Sequence, residues 1–217
     1  MLPTLSLLQT RVLGVLVEKQ LTVPDTYPLT LNALVSGCNQ KSNRDPVIEA
    51  SEDEVQSAID QLKALSLVME SSGGRVMRYA HNVQRVLEIP AQAVAILTLL
   101  MLRGPQTAGE LRIHTERLHR FSDISAVEGF LHELEARAGG GLVMELPRQA
   151  GARETRWSHL LSGAPQVSTP VEAAPAPDRV AVGELAALRA TVDDLRAQLL
   201  AMRADVDRLL TELGISR

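Results

Sequence analysis

One order of patterns runs through this chain twice, and it restricts the fold more than any other feature. Each pass reads helix, helix, helix, strand, strand, and the passes lie about 70–80 residues apart, a domain-sized period. In the first pass, Leu8, Val12, Val15 and Leu16 mark a helix. A second helix is expected to open at Pro28, which suits a first-turn position, and to run through Leu31, Leu34 and Val35. Ser51 with Glu54 forms a capping box for a third, whose apolar face is Val55, Ile59 and Leu62. Leu67 to Glu70 reads as a strand, Ser71 to Gly74 as a turn, and Arg75 to His81 as the returning strand.

The second pass repeats the order. Ala91 to Leu102 is an apolar helix, and Thr107 with Glu110 caps a helix through Leu111 to Leu118. Ser125 with Glu128 makes a further box, beside Val127, Phe130, Leu131 and Leu134 on one face. Gly139, Gly140 and Gly141 stop that helix. Strands at Leu142 to Leu146 and Arg153 to His159 flank a turn at Pro147 to Gly151. Three helices and a hairpin are the order of a winged helix, with the third helix as recognition element and the hairpin as wing. The expected fold is mainly α with small β-hairpins (α+β): a winged-helix domain over 1–88 and another over 89–162. Aromatics are only 2% of the chain, so the core must be aliphatic, which suits helices.

Residues 163–183 are rich in proline and alanine and read as a linker. Residues 184–214 then carry an unbroken heptad seam: Leu185, Leu188, Val192, Leu195, Leu199, Met202, Val206, Leu209 and Leu213. That 3.5-residue repeat predicts a left-handed coiled coil, with a homodimer or a partner helix on the seam. Arg189, Arg196 and Arg203 would face one another in an antiparallel homodimer, which disfavours that arrangement.

Three longer motifs stand out: Tyr27 to Leu34 running into Cys38 to Arg44, Leu102 to Thr107 with Gly109 to Arg112, and Arg153-Glu154 with His159 to Leu161. Together they resemble those of the YceH family of uncharacterised bacterial proteins. The resemblance covers roughly Leu5 to Leu161. It implies a tandem winged-helix architecture and carries no activity with it.

The candidate contacts with nucleic acid follow from chemistry. Asn39, Gln40, Lys41, Ser42, Asn43 and Arg44 join the second helix to the third, and amides and arginine read base edges while Lys, Arg and Ser hold phosphates. The same asparagines and serine could instead bond their own backbone to shape a long turn. Arg75 and Arg78 flank the first hairpin; Arg148, Arg153 and Arg156 flank the second, as phosphate clamps or as charges guarding a sheet edge. Arg112 stands in the densest basic cluster, with His114, Arg117, His119 and Arg120. Against DNA stand the formal net charge of −4 and the acids Glu52, Asp53, Glu54 and Asp60 of the first recognition helix.

No catalytic or metal motif converges. Glu128 and His132 share a face, but two ligands make no site. Cys38 reads as a small core residue and, as the one cysteine, excludes an internal disulfide. No cofactor is expected. No segment has the length to span a bilayer, and a cytoplasmic location is expected. The functional expectation is a non-enzymatic transcriptional regulator that binds double-stranded DNA and self-associates through its heptads. The rival is a protein-interaction scaffold that does not bind DNA.

Overall fold

The computed structural model describes residues 4–72, 76–148, 151–152 and 154–165. The chain is mixed, rich in helix, with two small antiparallel hairpins. The first pass gives α1 (Leu7–Thr22), α2 (Leu31–Cys38), α3 (Glu52–Ala64), β1 (Val68–Ser72) and β2 (Met77–His81). A short α4 (Val83–Leu87), which the periodicity did not announce, leads to α5 (Ala91–Arg103). Then come α6 (Ala108–His114), a 3-10 turn (Thr115–Arg117), α7 (Ile124–Glu135), β3 (Val143–Glu145) and β4 (Trp157–His159). The linker beyond Pro165 and the heptads lie outside the described residues.

Capping sets most boundaries. Ser51 with Glu54 and Thr107 with Glu110 form reciprocal boxes, as their spacing predicts. Other boundaries differ from expectation. The second helix starts at Leu31, because Thr30 caps it and Leu29 is spent bridging Tyr79. Asp123, not Ser125, caps α7, accepting from the Ala126 N–H at 2.8 Å. α6 stops at His114 rather than Leu118, where Thr115 Oγ1 donates back to the Leu111 carbonyl at 2.8 Å. β1 continues through Ser71 and Ser72, positions expected to turn, and the last strand starts at Trp157 rather than Arg153.

The two passes are near copies. Leu67-Val68-Met69-Glu70 recurs letter for letter as Leu142-Val143-Met144-Glu145. Arg78-Tyr79-Ala80-His81 recurs as Arg156-Trp157-Ser158-His159. Val68 pairs with His81, and Val143 with His159. Each hairpin gains a bridge from the segment before the second helix: Leu29 to Tyr79, and Gln106 to Trp157.

The copies share one core rather than folding apart. The described residues form a single compact unit. α1 packs along α5, and both are buried nearly all round, over Gln9–Val17 and Ala93–Leu102. A helix apolar on every side must be enclosed, and each of these is enclosed partly by the other. Gly14 permits the contact: a Cβ there would stand 2.8 Å from Leu102. The Leu5 N–H donates to the Leu161 carbonyl at 2.8 Å, tying the unit's ends. The boundary expected near residue 88 therefore separates two repeats, not two cores.

Candidate functional site

The segment between α2 and α3 is built from within. The Asn39 amide donates to the Ala50 carbonyl and accepts from the Ala50 N–H, both at 2.8 Å, closing the loop. Gln40 donates to Ser42 at 3.1 Å. Asn43 sits at φ +59°, a conformation asparagine tolerates, and accepts from Arg103. The Asp45 N–H donates to the Leu102 carbonyl at 2.8 Å, so this loop of the first repeat rests on the end of α5 in the second.

Arg44 corrects its sequence reading. Its side chain is fully buried and forks onto Glu18 at 3.1 and 2.6 Å, with a further bond to the Gly37 carbonyl at 3.1 Å. A sealed guanidinium cannot reach a phosphate. Burial raises the Glu18 carboxyl, but the bonds and charge of Arg44 outweigh it, and the net shift is downward. Arg11, buried beside it, donates to the carbonyls of Cys38 at 3.1 Å and Pro46 at 2.6 Å. Of the loop's candidates, Lys41, Ser42 and Asn43 stay exposed.

The hairpin arginines also serve the fold, in matching ways. Arg78 donates to the Pro28 carbonyl at 2.8 Å, and Arg156 to the Pro105 carbonyl at 2.7 Å. Each pins the bridge segment of its own repeat to the hairpin. Arg156 also bonds Glu110 at 3.0 Å. Arg75 and Arg153 lie outside the described residues. Arg112 and Arg148 are exposed, and Arg112 makes only a long bond, 3.4 Å, to the Ser122 carbonyl. The third helix of each repeat is acidic. α3 holds Glu52, Asp53, Glu54 and Asp60 against Lys63, and Lys63 is itself engaged by Glu70. α7 holds Glu128, Glu133 and Glu135 with no lysine or arginine.

Parts of two of the family-like motifs meet at one place, Asn43 and Arg44 from one and Arg103, Pro105, Gln106 and Glu110 from the other. Residues from the 39–46 loop, the end of α5, the segment into α6, and β4's approach line a cleft of about 320 Å³ between the repeats. Asn43, Asp45, Arg103, Gln106, His114 and Arg156 are its polar walls. Gln106 is buried; its amide donates to the Leu99 carbonyl at 3.1 Å and its oxygen meets His114 Nδ1 at 2.6 Å. Burial, reinforced by Arg103, lowers the His114 pKa, which disfavours the charged ring. In the neutral ring Nδ1 carries the proton toward Gln106, and Nε2 is an acceptor. Sequence reading placed Arg103 and Gln106 only within motifs and His114 only within a basic cluster. The signal that separates them is a comparison of the repeats: Gln106 and His114 stand where the first repeat has Leu29 and Gly37.

Burial also shifts three groups away from the cleft. Burial pushes the Cys38 thiol up to about 12 and the imidazoles of His81 and His159, matching residues of the two hairpins, down to about 4. Among the described residues no group of three metal-ligating side chains assembles, and no helix is long and apolar enough to cross a membrane.

A family model described as a protein of unknown function, DUF480, matches residues 5–152. A UPF0502 protein of Methylibium petroleiphilum is 60% identical over 215 residues, covering 99% of this chain and 92% of the relative. One of Dechloromonas aromatica is 57% identical over 202 residues, covering 93% and 94%. One of Burkholderia ambifaria is 58% identical over 210 residues, covering 96% and 89%. The resemblance read from the motifs thus holds, as an uncharacterised bacterial family. The first of these alignments spans nearly the whole chain, tail included.

Proposed function

Because the chain belongs to the DUF480 family of proteins of unknown function, its role has to be read from its own geometry, and we propose that it is a non-enzymatic tandem winged-helix protein that works by binding a protein partner. The repeated order, with a bridge strand before the second helix and a hairpin after the third, supports the winged-helix reading. The observation that carries the partner reading is the acidity of both third helices. A winged helix that reads DNA lays this element in the major groove, against phosphates that α3 and α7 would repel. A basic protein surface meets the same charge favourably. Exposed Ile124 at the start of α7 and Ile113 on α6 add apolar contact. Pairing of the heptads from Leu185 to Leu213 would give two such modules per assembly and raise avidity.

A second reading, DNA binding, is favoured by the exposure of Lys41, Arg112, Arg117, Arg120 and Arg148. One experiment separates the two. A labelled random duplex is titrated with full-length protein at low salt, then at rising salt, and followed by fluorescence anisotropy. The partner reading expects no binding at low salt. Binding that weakens linearly in log salt, with a shallower slope in Arg112→Glu, overturns it in favour of DNA.

A further inference from the structure

One arginine on the wall of the cleft between the repeats, Arg103, has no carboxylate partner among the described residues, and buried Arg11 is likewise held by neutral groups alone. Arg11 is buried on two neutral carbonyls, and its Nε has no acceptor. Arg103 donates to the neutral amide of Asn43; its Nε is also buried without an acceptor. Among the described residues, no carboxylate lies within ion-pair distance of Arg103. Arg44 is committed to Glu18, and Arg156 to Glu110. Asp45 is the one further acid on the cleft wall. Among the described residues Arg103 is therefore the arginine of the cleft wall that no carboxylate pairs, whereas Arg44 and Arg156 each have one. Burial opposes the charge on Arg11 and on Arg103, and a counter-charge would offset that cost.

The polar pair beside Arg103 is not a demand of the fold. Leu29 and Gly37 fill the matching positions of the first repeat, where Leu29 makes the same backbone bridge that Gln106 makes. Gln106 is committed to Leu99 and orients His114, leaving Nε2 able to accept a proton.

We propose that this cleft binds a small oxyanion, a carboxylate or phosphate group, through Arg103, with His114 and Arg156 at its sides. A guanidinium fork matches the paired oxygens of either group. The volume suits a small molecule. Arg103 and His114 come from the second repeat and Asn43 and Asp45 from the first, so a bound anion joins the two. This site is independent of the surface proposed for the protein partner.

The test is thermal unfolding of the full chain in rising sodium phosphate and, separately, sodium acetate. Each series is matched to sodium chloride at equal ionic strength. A ligand that binds only the folded chain raises Tm in step with its occupancy. The expected result is a rise with a measurable half-point for phosphate, acetate or both, beyond that of chloride; which anion acts identifies the group. Arg103→Gln should raise the half-point at least about tenfold, the loss of one charge-assisted bond. Arg148→Gln, on the exposed second hairpin, should leave it unchanged. If Arg103→Gln does not fold by circular dichroism, His114→Asn decides by the same shift. The proposal is overturned if neither anion exceeds chloride, or if the deciding variant keeps the wild-type half-point.

Discussion

Removing Glu18 should destabilise the protein far more than removing both halves of its ion pair. The Arg44 side chain is completely buried, whereas that of Glu18 is 14% exposed and lies 3.4 Å from Lys19. Glu18→Ala leaves a sealed guanidinium without its counter-charge, which costs about 3–5 kcal/mol. Arg44→Met leaves a carboxylate that still reaches water and Lys19. Its cost is the lost bonds and the unmatched Gly37 carbonyl, about 2 kcal/mol. The double variant Glu18→Leu with Arg44→Met buries no charge and should cost less than Glu18→Ala alone. Urea unfolding followed by circular dichroism gives all three, with the midpoint shifting and the slope unchanged. The pH dependence carries a second signature. The folded carboxyl titrates below its unfolded value, so its contribution is complete above the ordinary glutamate range, near pH 4.3, and is lost as pH falls through the depressed folded value. The gap between wild type and Glu18→Ala should therefore be constant near neutrality and close only in acid. A Glu18→Ala cost below about 1 kcal/mol, or a double variant as unstable as the sum of the singles, would refute this account.

Three further outcomes follow from packing and burial. A Cβ on Gly37 would stand 2.5 Å from Val15 Cγ1, a branched side chain in the core, so Gly37→Ala should lower stability by about 1–3 kcal/mol in urea unfolding despite alanine's better helix propensity. Cys38, with its thiol pushed up to about 12, should resist a thiol reagent at pH 8 in the native protein and react at once in denaturant. Arg78→Ala should cost about 1–2 kcal/mol and Arg156→Ala less, since the Arg156–Glu110 pair is about two-fifths exposed and screened; the comparison is again the urea midpoint.

The element order was legible because each helix carries its own punctuation. The capping boxes at Ser51 and Thr107 and the apolar run from Ala91 are local signals, and local chemistry honoured them. Pro28 misled because the preference of proline for a first helical turn is weaker than the claim of the sheet on Leu29 next to it. The candidate site was less legible. Arg44 looks like any exposed basic residue in a polar loop, and only the fold shows that Glu18, 26 positions away, draws it inside. Arg78 and Arg156 read equally as phosphate clamps or as charges guarding a sheet edge, yet both are clamps for the protein's own backbone. The exact recurrence of Leu-Val-Met-Glu, and of Arg-aromatic-small-His, was available in the letters and marks both pairs as structural, since a duplicated fold must keep what holds each copy together.

The same comparison, run the other way, points to function. Positions that agree between the repeats build the hairpins, cap the helices and pin the bridges. Positions that differ are released from that duty in one copy. Leu29 and Gly37 satisfy the first repeat with an apolar side chain and with close contact to Val15, at no cost in polar burial. Gln106 and His114 place a buried amide and a desolvated imidazole at the same points, a more expensive arrangement. The buried Nε–H of Arg103, on the wall of that cleft, has no acceptor. A fold that has an apolar solution in one copy and keeps a polar one in the other is retaining something besides stability. The cleft beside His114 is thus one place where the second copy takes a polar arrangement that the first copy does without.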